Sequence, residues 1–185
     1  MLISGNPTQG IAQSLSQLYP DATFMSRSTG HDLVERSGRD AFAAEALNHD
    51  VIIVNSALWQ FQQTVLLDAV YKSLKNTKKL AHIVVIGSTT DRVKNGKAWL
   101  YNAEKKALRD YSNTLSIGGV WSRMPKVSYI SFGTLSNNEH KHPDRRCMAI
   151  DTAADYIKWI IDQPAHININ ELSVDPVQDA YWYAL

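Results

Sequence analysis

The chain has 185 residues, 44% of them apolar and 20% charged, with a formal net charge of +1 at neutral pH. That size and composition fit one globular domain over 1–185 with a buried core, and the charge balance excludes a field that would gather nucleic acid or an anionic membrane. The single cysteine, Cys147, excludes an internal disulfide and a thiolate metal cluster; with no signal-peptide pattern and no apolar run near the roughly 20 residues of a bilayer span, a cytoplasmic protein is expected.

In chain order, a first apolar strand is predicted at 1–4. It ends in Ser4-Gly5-Asn6-Pro7-Thr8-Gln9-Gly10-Ile11 and leads at once into a helix at 10–18. A strand at 22–26 runs into Met25-Ser26-Arg27-Ser28-Thr29, and a short alanine-rich helix follows at 40–47. Strand 50–57 (DVIIVNSA) precedes a helix at 62–74, which places Val65, Leu66, Ala69, Val70 and Leu74 on one face. Strand 82–88 (HIVVIGS) precedes a helix at 99–115. A strand at 126–131, a polar flexible loop at 137–146, a helix at 149–161 and a strand at 166–174 follow. The aromatic tail at 180–185 is expected to pack on its own domain or on a neighbouring subunit. Strands that are apolar throughout, alternating with helices, predict an α/β fold: a doubly wound parallel sheet in three α/β/α layers.

The glycine-bearing turn after the first strand lets backbone amides approach a phosphate at the positive end of a helix dipole. Gly5 and Gly10 have the G-x-x-x-x-G spacing of a nucleotide triphosphatase loop, but Ile11 and Ala12 stand where its Lys and Ser/Thr belong. Phosphoryl transfer would then lack its stabilising charge. Close approach to a dinucleotide needs only the glycines. A turn with a purely structural role is the third reading.

Strand 82–88 delivers Ser88 at its carboxyl end, where open α/β sheets bind ligands. Tyr101 follows thirteen residues later, and Lys105 lies one helical turn beyond it on the same face. A phenol of pKa about 10 is a poor proton donor or acceptor at neutral pH unless a cation stabilises its phenolate. Lys105 can supply that cation, and Ser88 can hold a substrate oxygen. The plainer reading of Tyr101 and Lys105, a packed ring beside a solvated amine, loses ground to the ordered set of turn, strand-end serine and Tyr-x-x-x-Lys.

These residues resemble the short-chain dehydrogenases/reductases, a Rossmann-like family, through most of the chain. Ser4-Gly5 and Gly10-Ile11 resemble the family's cofactor turn, Asp32-Leu33 its adenine-contacting Asp-Val pair, and Asn55-Ser56-Ala57 its Asn-Ala-Gly segment. Ser88 and Tyr101-Asn-Ala-Glu-Lys105 resemble its catalytic residues, and Phe132-Gly133 its Pro-Gly. The resemblance implies an oxidoreductase that interconverts a carbonyl and an alcohol on a small organic substrate, without a metal. Tyr101 would be the general acid/base, Lys105 would depress its pKa and hold the nicotinamide ribose, and Ser88 would polarise the substrate oxygen. Thr90 and Trp59 would line the substrate side. Cofactor contacts would come from Gly5, Asn6, Gln9, Gly10 and Ile11, from Asp32 and Leu33, from Asn55, Ser56 and Ala57, and from Phe132, Gly133 and Thr134, besides Tyr101 and Lys105. At the end of the second strand, Ser26, Arg27 and Ser28 offer a guanidinium and hydroxyls with no carboxylate among them. That favours NADP(H) over NAD(H), unless Arg27 is only a surface charge.

The departures from the family pattern are specific. The turn carries one extra residue, Ala12 replaces a glycine, and the helix normally following the second strand is cut away after Arg27. No asparagine matches the family's fourth catalytic residue; Gln60, Gln62 or Gln63 would replace it in ordering a water, or the relay is absent. Phe132 would put a bulky ring near the nicotinamide. A non-catalytic NAD(P)-binding or sensor protein is the alternative reading. A sugar-nucleotide epimerase is disfavoured, because only about 50 residues follow Gly133. His140 and His142 read as a solvated loop rather than a metal site. Helices 62–74 and 99–115 have apolar residues on more than one side, and the resemblance implies a homodimer or homotetramer through them.

Overall fold

The apolar runs fold into six parallel strands of one sheet. The structure is a computed structural model that describes residues 1–92 and 99–179, so the tail at 180–185 lies outside the described residues. The strands are β1 (Leu2–Ser4), β2 (Thr23–Met25), β3 (Val51–Val54), β4 (His82–Ser88), β5 (Lys126–Phe132) and β6 (Glu171–Val174), in the order β2-β1-β3-β4-β5-β6. Between them run α1 (Gly10–Leu18), α2 (Arg36–Glu45), α3 (Gln62–Thr77), α4 (Leu100–Trp121) and α5 (Ile150–Ile161). No described helix is long and apolar enough to cross a membrane.

Alternation of side chains along the strands divides the core in two. Leu2, Ile52, Val54, Ile83, Val85, Val127 and Tyr129 meet Phe42 of α2, Leu66, Leu67, Val70 and Leu74 of α3, and Leu108 of α4. Ile3, Ile53, Val84, Ile86, Ile130 and Phe132 meet Ile11 and Leu15 of α1 and Ala153, Ala154, Ile157 and Ile160 of α5. With both faces covered, an apolar side chain is favoured at every strand position, which produces the unbroken runs of the sequence. The three-layer, doubly wound fold follows.

Several elements differ from their predicted bounds for local reasons. β3 stops at Val54 because the N–H groups of Asn55 and Ser56 donate to the buried Ser4 Oγ (2.8 and 3.0 Å) rather than to a strand. Residues 166–170 stay out of β6 because Asn168 Nδ2 donates to the Val127 carbonyl (3.0 Å) and to Ser116 Oγ (2.8 Å). α2 starts at Arg36, before the predicted 40, with a polar first turn that faces solvent. α4 continues past 115 through Gly118-Gly119, where a side chain on Gly119 would lie 2.9 Å from the Pro125 carbonyl oxygen. The first half of the polar stretch at 137–146 is not an irregular loop but part of a 3-10 turn, Ser136–Lys141.

β1 lies between β2 and β3, so the chain leaves β1 in one direction and returns past it in the other. The carboxyl ends of β1 and β3 open a crevice at that switch point. Relative to the six-stranded order 3-2-1-4-5-6, the edge strand beyond β2 is missing and the opposite edge carries one more, β6. In place of the missing strand Arg27–Thr29 make a single 3-10 turn, closed by Gly30 at φ 86°.

Candidate active site

The crevice is a cleft of about 420 Å³, lined by Asn6, Gln9, Ser26, Arg27, Ser28, Asp32, Leu33, Ser56 and Leu58. Sequence reasoning had named every one of these except Leu58, whose plain apolar side chain carries no motif. Gly10 has φ 55°, and a Cβ on Gly5 would fall 2.8 Å from Asn55 Nδ2 and 3.0 Å from Ala12 Cβ. The turn therefore favours glycine at both positions, although the cleft lining itself takes Asn6 and Gln9 from this turn rather than the two glycines. Such a turn fits the diphosphate of a dinucleotide. Asn6 Oδ1 shapes it by accepting from Thr8 N (3.1 Å) and Thr8 Oγ1 (2.9 Å). Asn137, which the sequence did not single out, brings its amide to within 3.3 Å of where a Gly10 side chain would begin.

At the β2 end the Ser26 and Ser28 hydroxyls bond to each other (2.8 Å), and Thr29 Oγ1 accepts from the Ser26 N–H (2.9 Å). The Arg27 side chain is 78% exposed, and its Nε lies 3.8 Å from Asp32 Oδ2. So open an ion pair holds the guanidinium only weakly. The remaining cofactor candidates divide. Ile11 is buried and offers its backbone alone. The expectation that Phe132 puts a ring near the nicotinamide is corrected: it is 2% exposed and packs among Ile86, Ile130 and the α5 side chains. Gly133 donates its N–H to the Val174 carbonyl (2.9 Å), and a side chain there would strike Asp175 and Pro176. Its glycine thus answers to the segment after β6. Thr134 beside it accepts from Met148 N (2.9 Å), and Ala57 is exposed outside the cleft lining.

The triad assembles where β4 ends and α4 begins. Ser88 is the last residue of β4; its Oγ accepts from Thr90 Oγ1 (3.0 Å), and its side chain hydrogen-bonds the Tyr101 hydroxyl. Burial pushes the Tyr101 phenol up, with the Ser88 hydrogen bond opposing and the Glu104 charge adding. The expected depression of this pKa by Lys105 is therefore corrected. Lys105 Nζ sits over the Tyr101 ring, 5.3 Å from its centroid, and its charge is not among the causes that set the phenol. The amine is buried, and burial lowers its pKa to about 8 against the pull of Glu104 and Asp91.

The Lys105 ammonium donates to Gln63 Oε1 at 2.5 Å. Gln63 is itself buried, and its Nε2 donates to the Val54 carbonyl (3.2 Å) and the Ile86 carbonyl (2.8 Å). Of the three glutamines considered from sequence, Gln63 is the one brought to the lysine. Gln62 Oε1 accepts instead from Arg39 on α2 (2.8 Å), and the Gln60 backbone N–H donates to the buried Glu104 Oε1 (2.8 Å). Trp59, a predicted substrate contact, has its ring 5.2 Å from that of Tyr101, and Trp99 flanks the same ring at 5.3 Å.

Asp91 gave no sequence signal, yet it underpins the segment after Ser88. It is 1% exposed and accepts from the Tyr129 hydroxyl (2.8 Å); Arg92 and Arg109 lie 3.9 Å away, and burial raises its pKa. Gly87 leaves the room that this hydroxyl needs, since a Cβ there would fall 1.9 Å from Tyr129 Oη. Among the described residues no group of three His, Cys, Asp or Glu is arranged to hold a metal.

No protein-family model matches the chain, and no curated protein matches it in sequence. Solved structures do match. Serine dehydrogenase from Escherichia coli superposes with a TM-score of 0.70 at 17% identity, covering 94% of this chain and 95% of that one. A short-chain dehydrogenase from Burkholderia cenocepacia in complex with NADP gives 0.73 at 14%, covering 93% and 86%. Acetoin dehydrogenase from Enterobacter cloacae gives 0.72 at 16%, covering 95% and 94%. At such identities the likeness is one of fold: the chain has the Rossmann-like fold of short-chain dehydrogenases.

Proposed function

We propose that the protein is an NADP(H)-dependent oxidoreductase that interconverts a carbonyl and an alcohol on a small organic substrate, with Tyr101 as general acid/base. One juxtaposition supports this reading: Ser88 closes β4 with Tyr101 and Lys105 of α4 packed against one another next to it, and Gly5 and Gly10 stand in the turn that would take a diphosphate. A nicotinamide cofactor, when bound, supplies or takes the hydride. Gly5, Gly10 and Asn6 would hold its diphosphate, and the β2 end its adenosine ribose. The exposed Arg27 guanidinium and the Ser26 and Ser28 hydroxyls suit a 2′-phosphate. The Burkholderia neighbour is a complex with NADP, whereas a ketoacyl reductase of Brucella melitensis of the same fold is a complex with NADH. The preference for NADP(H) therefore rests on Arg27.

A phenol raised by burial keeps its proton at neutral pH. Tyr101 is therefore primed to donate to a substrate oxygen that gains charge, as in carbonyl reduction, while Ser88 orients that oxygen. The same observations favour a second reading. With Lys105 tied to Gln63 and set over the Tyr101 ring, a protein that binds nucleotide without turnover would look similar.

Fluorescence titration with NADPH and NADH, alongside a panel of carbonyl substrates, separates the two. Tyr101→Phe is expected to cut turnover about 10²–10⁴-fold, the usual size of a lost general acid, with NADPH affinity nearly unchanged. Arg27→Ala should bring NADPH affinity down to that of NADH. Binding of NADPH with no carbonyl reduced would favour the sensor, and equal binding of both cofactors to the native protein would end the NADP claim.

A further inference from the structure

The two indoles beside Tyr101 are unusual in being both convergent and open. Trp59 is 63% exposed and Trp99 50% exposed, yet their ring centroids lie 5.2 and 5.3 Å from the Tyr101 ring, tilted by 48° and 41°. They come from different elements, the turn after β3 and the N-cap of α4. Helical periodicity alone therefore does not bring them together.

The turn that carries Trp59 is built at a cost. Gln60 and Phe61 stand at φ 57° and 61°, two successive left-handed residues without a glycine. What holds them is the Gln60 N–H bonded to the buried Glu104 carboxylate, on the same helix as Tyr101 and one residue before Lys105. Strain and a buried charge together thus fix an indole that stays open to solvent. Strain of this kind persists where it serves a site.

We propose that Trp59 and Trp99 form a stacking slot beside the Tyr101 hydroxyl, and that the substrate is a flat aromatic ketone or aldehyde with no charge near its carbonyl. An aromatic ring packs favourably on an indole in a tilted or offset geometry, and the indole faces that Tyr101 leaves open gain by leaving water. The polar groups at the reacting end are the hydroxyls of Ser88, Thr90 and Tyr101, which suit one carbonyl oxygen. Among the described residues, the ionisable neighbours of Tyr101 on α4, Glu104 and Lys105, are both 4% exposed and engaged by Gln60 and Gln63, so neither is free for a substrate carboxylate or amine. This assignment rests on Tyr101 being the proton donor.

The test compares 2-acetonaphthone with its fully saturated decahydronaphthyl counterpart in the presence of NADPH, reading binding by saturation-transfer NMR and turnover by cofactor absorbance. The naphthyl ketone should bind at least tenfold tighter to the native protein. Trp59→Leu and Trp99→Leu should each bring that ratio close to one, while Trp59→Phe retains most of it; NADPH binding reports that each variant is folded. Equal binding of the two ketones by the native protein overturns the slot, whatever the variants do. A ratio that survives both leucine variants overturns it too, including the case where those variants only dissociate an oligomer. Preferential naphthyl binding lost in Trp59→Leu, with neither ketone reduced, upholds the slot and defeats the oxidoreductase reading instead.

Discussion

Gln63 makes three hydrogen bonds from one amide, and their chemistry leaves a single orientation. Lysine only donates and the two strand carbonyls only accept, so Oε1 must face Lys105 and Nε2 must face Val54 and Ile86. Gln63→Leu leaves one ammonium and two carbonyls short of partners, at about 1–3 kcal/mol for each group left unpaired. The same change should carry the Lys105 pKa below its present value of about 8, because a buried ammonium has lost its acceptor. If the charged amine holds cofactor, NADPH affinity of the native protein will fall as pH rises through 8, and in Gln63→Leu the fall will come at lower pH. Stability runs the other way. Between about pH 8 and 10.5 the unfolded chain holds the lysine proton and the folded one does not, so this group makes the fold more stable as pH rises. The gain is of order 3 kcal/mol across that window, is absent below it, and should vanish from urea titrations of Lys105→Met. Ser88, Tyr101 and Lys105 were legible in the sequence because a strand end and one helical turn fix their spacing. Gln63 was narrowed only to one of three glutamines: its side chain reaches groups on three elements, and only burial distinguishes it from Gln60 and Gln62.

At the level of the elements, the site depends on where strands stop. Ser4, fully buried at the end of β1, ends β3 by accepting the Asn55 and Ser56 N–H groups. That contact places Asn55 beside Gly5 and turns Ser56 into the cleft. Ser4→Ala leaves two part-buried donors without this partner, so a loss of about 1 kcal/mol in denaturant unfolding is expected, together with weaker NADPH binding from a loosened cleft wall. Unchanged stability and affinity would show that the Ser4 hydroxyl does not set the end of β3. Such side-chain stops also explain which bounds the pattern missed. Hydrophobic periodicity locates the middle of an element, where burial dominates, whereas Ser4 and Asn168 end or exclude strands through hydrogen bonds that no periodicity reveals. Gly118-Gly119 acts in the opposite sense, beyond the predicted end of the helix at 115. A glycine pair reads as a helix end, yet here it lets α4 pass close to Pro125.

Across the whole molecule, the alternation of runs was enough to give a parallel sheet and both its covered faces, since each strand must be apolar on two sides. The missing edge strand was visible only as a short connection after Arg27. Assembly is less well encoded, but the surface bears on it. Ile117, Val120 and Trp121 are 59%, 56% and 85% exposed and, at i, i+3 and i+4, share one face near the end of α4; α3 adds Val65 at 41%. Leaving these faces in water forfeits about 25 cal/mol per Å² of apolar area, and two copies meeting through α3 and α4 would recover it as a four-helix contact. Sedimentation of the native protein should therefore show a dimer or tetramer. Ile117→Lys combined with Val120→Lys should break that contact, because a charge buried against its own symmetry mate has no partner. The size of the residual particle then decides the architecture. A monomer means that the α3–α4 face is the whole interface. A dimer left from a tetramer points to a second contact elsewhere, for which one exposed apolar region among the described residues is that where Tyr156 and Trp159 of α5 flank Leu172 on the edge strand β6. A native protein that sediments as a monomer at micromolar concentration would refute assembly through these helices.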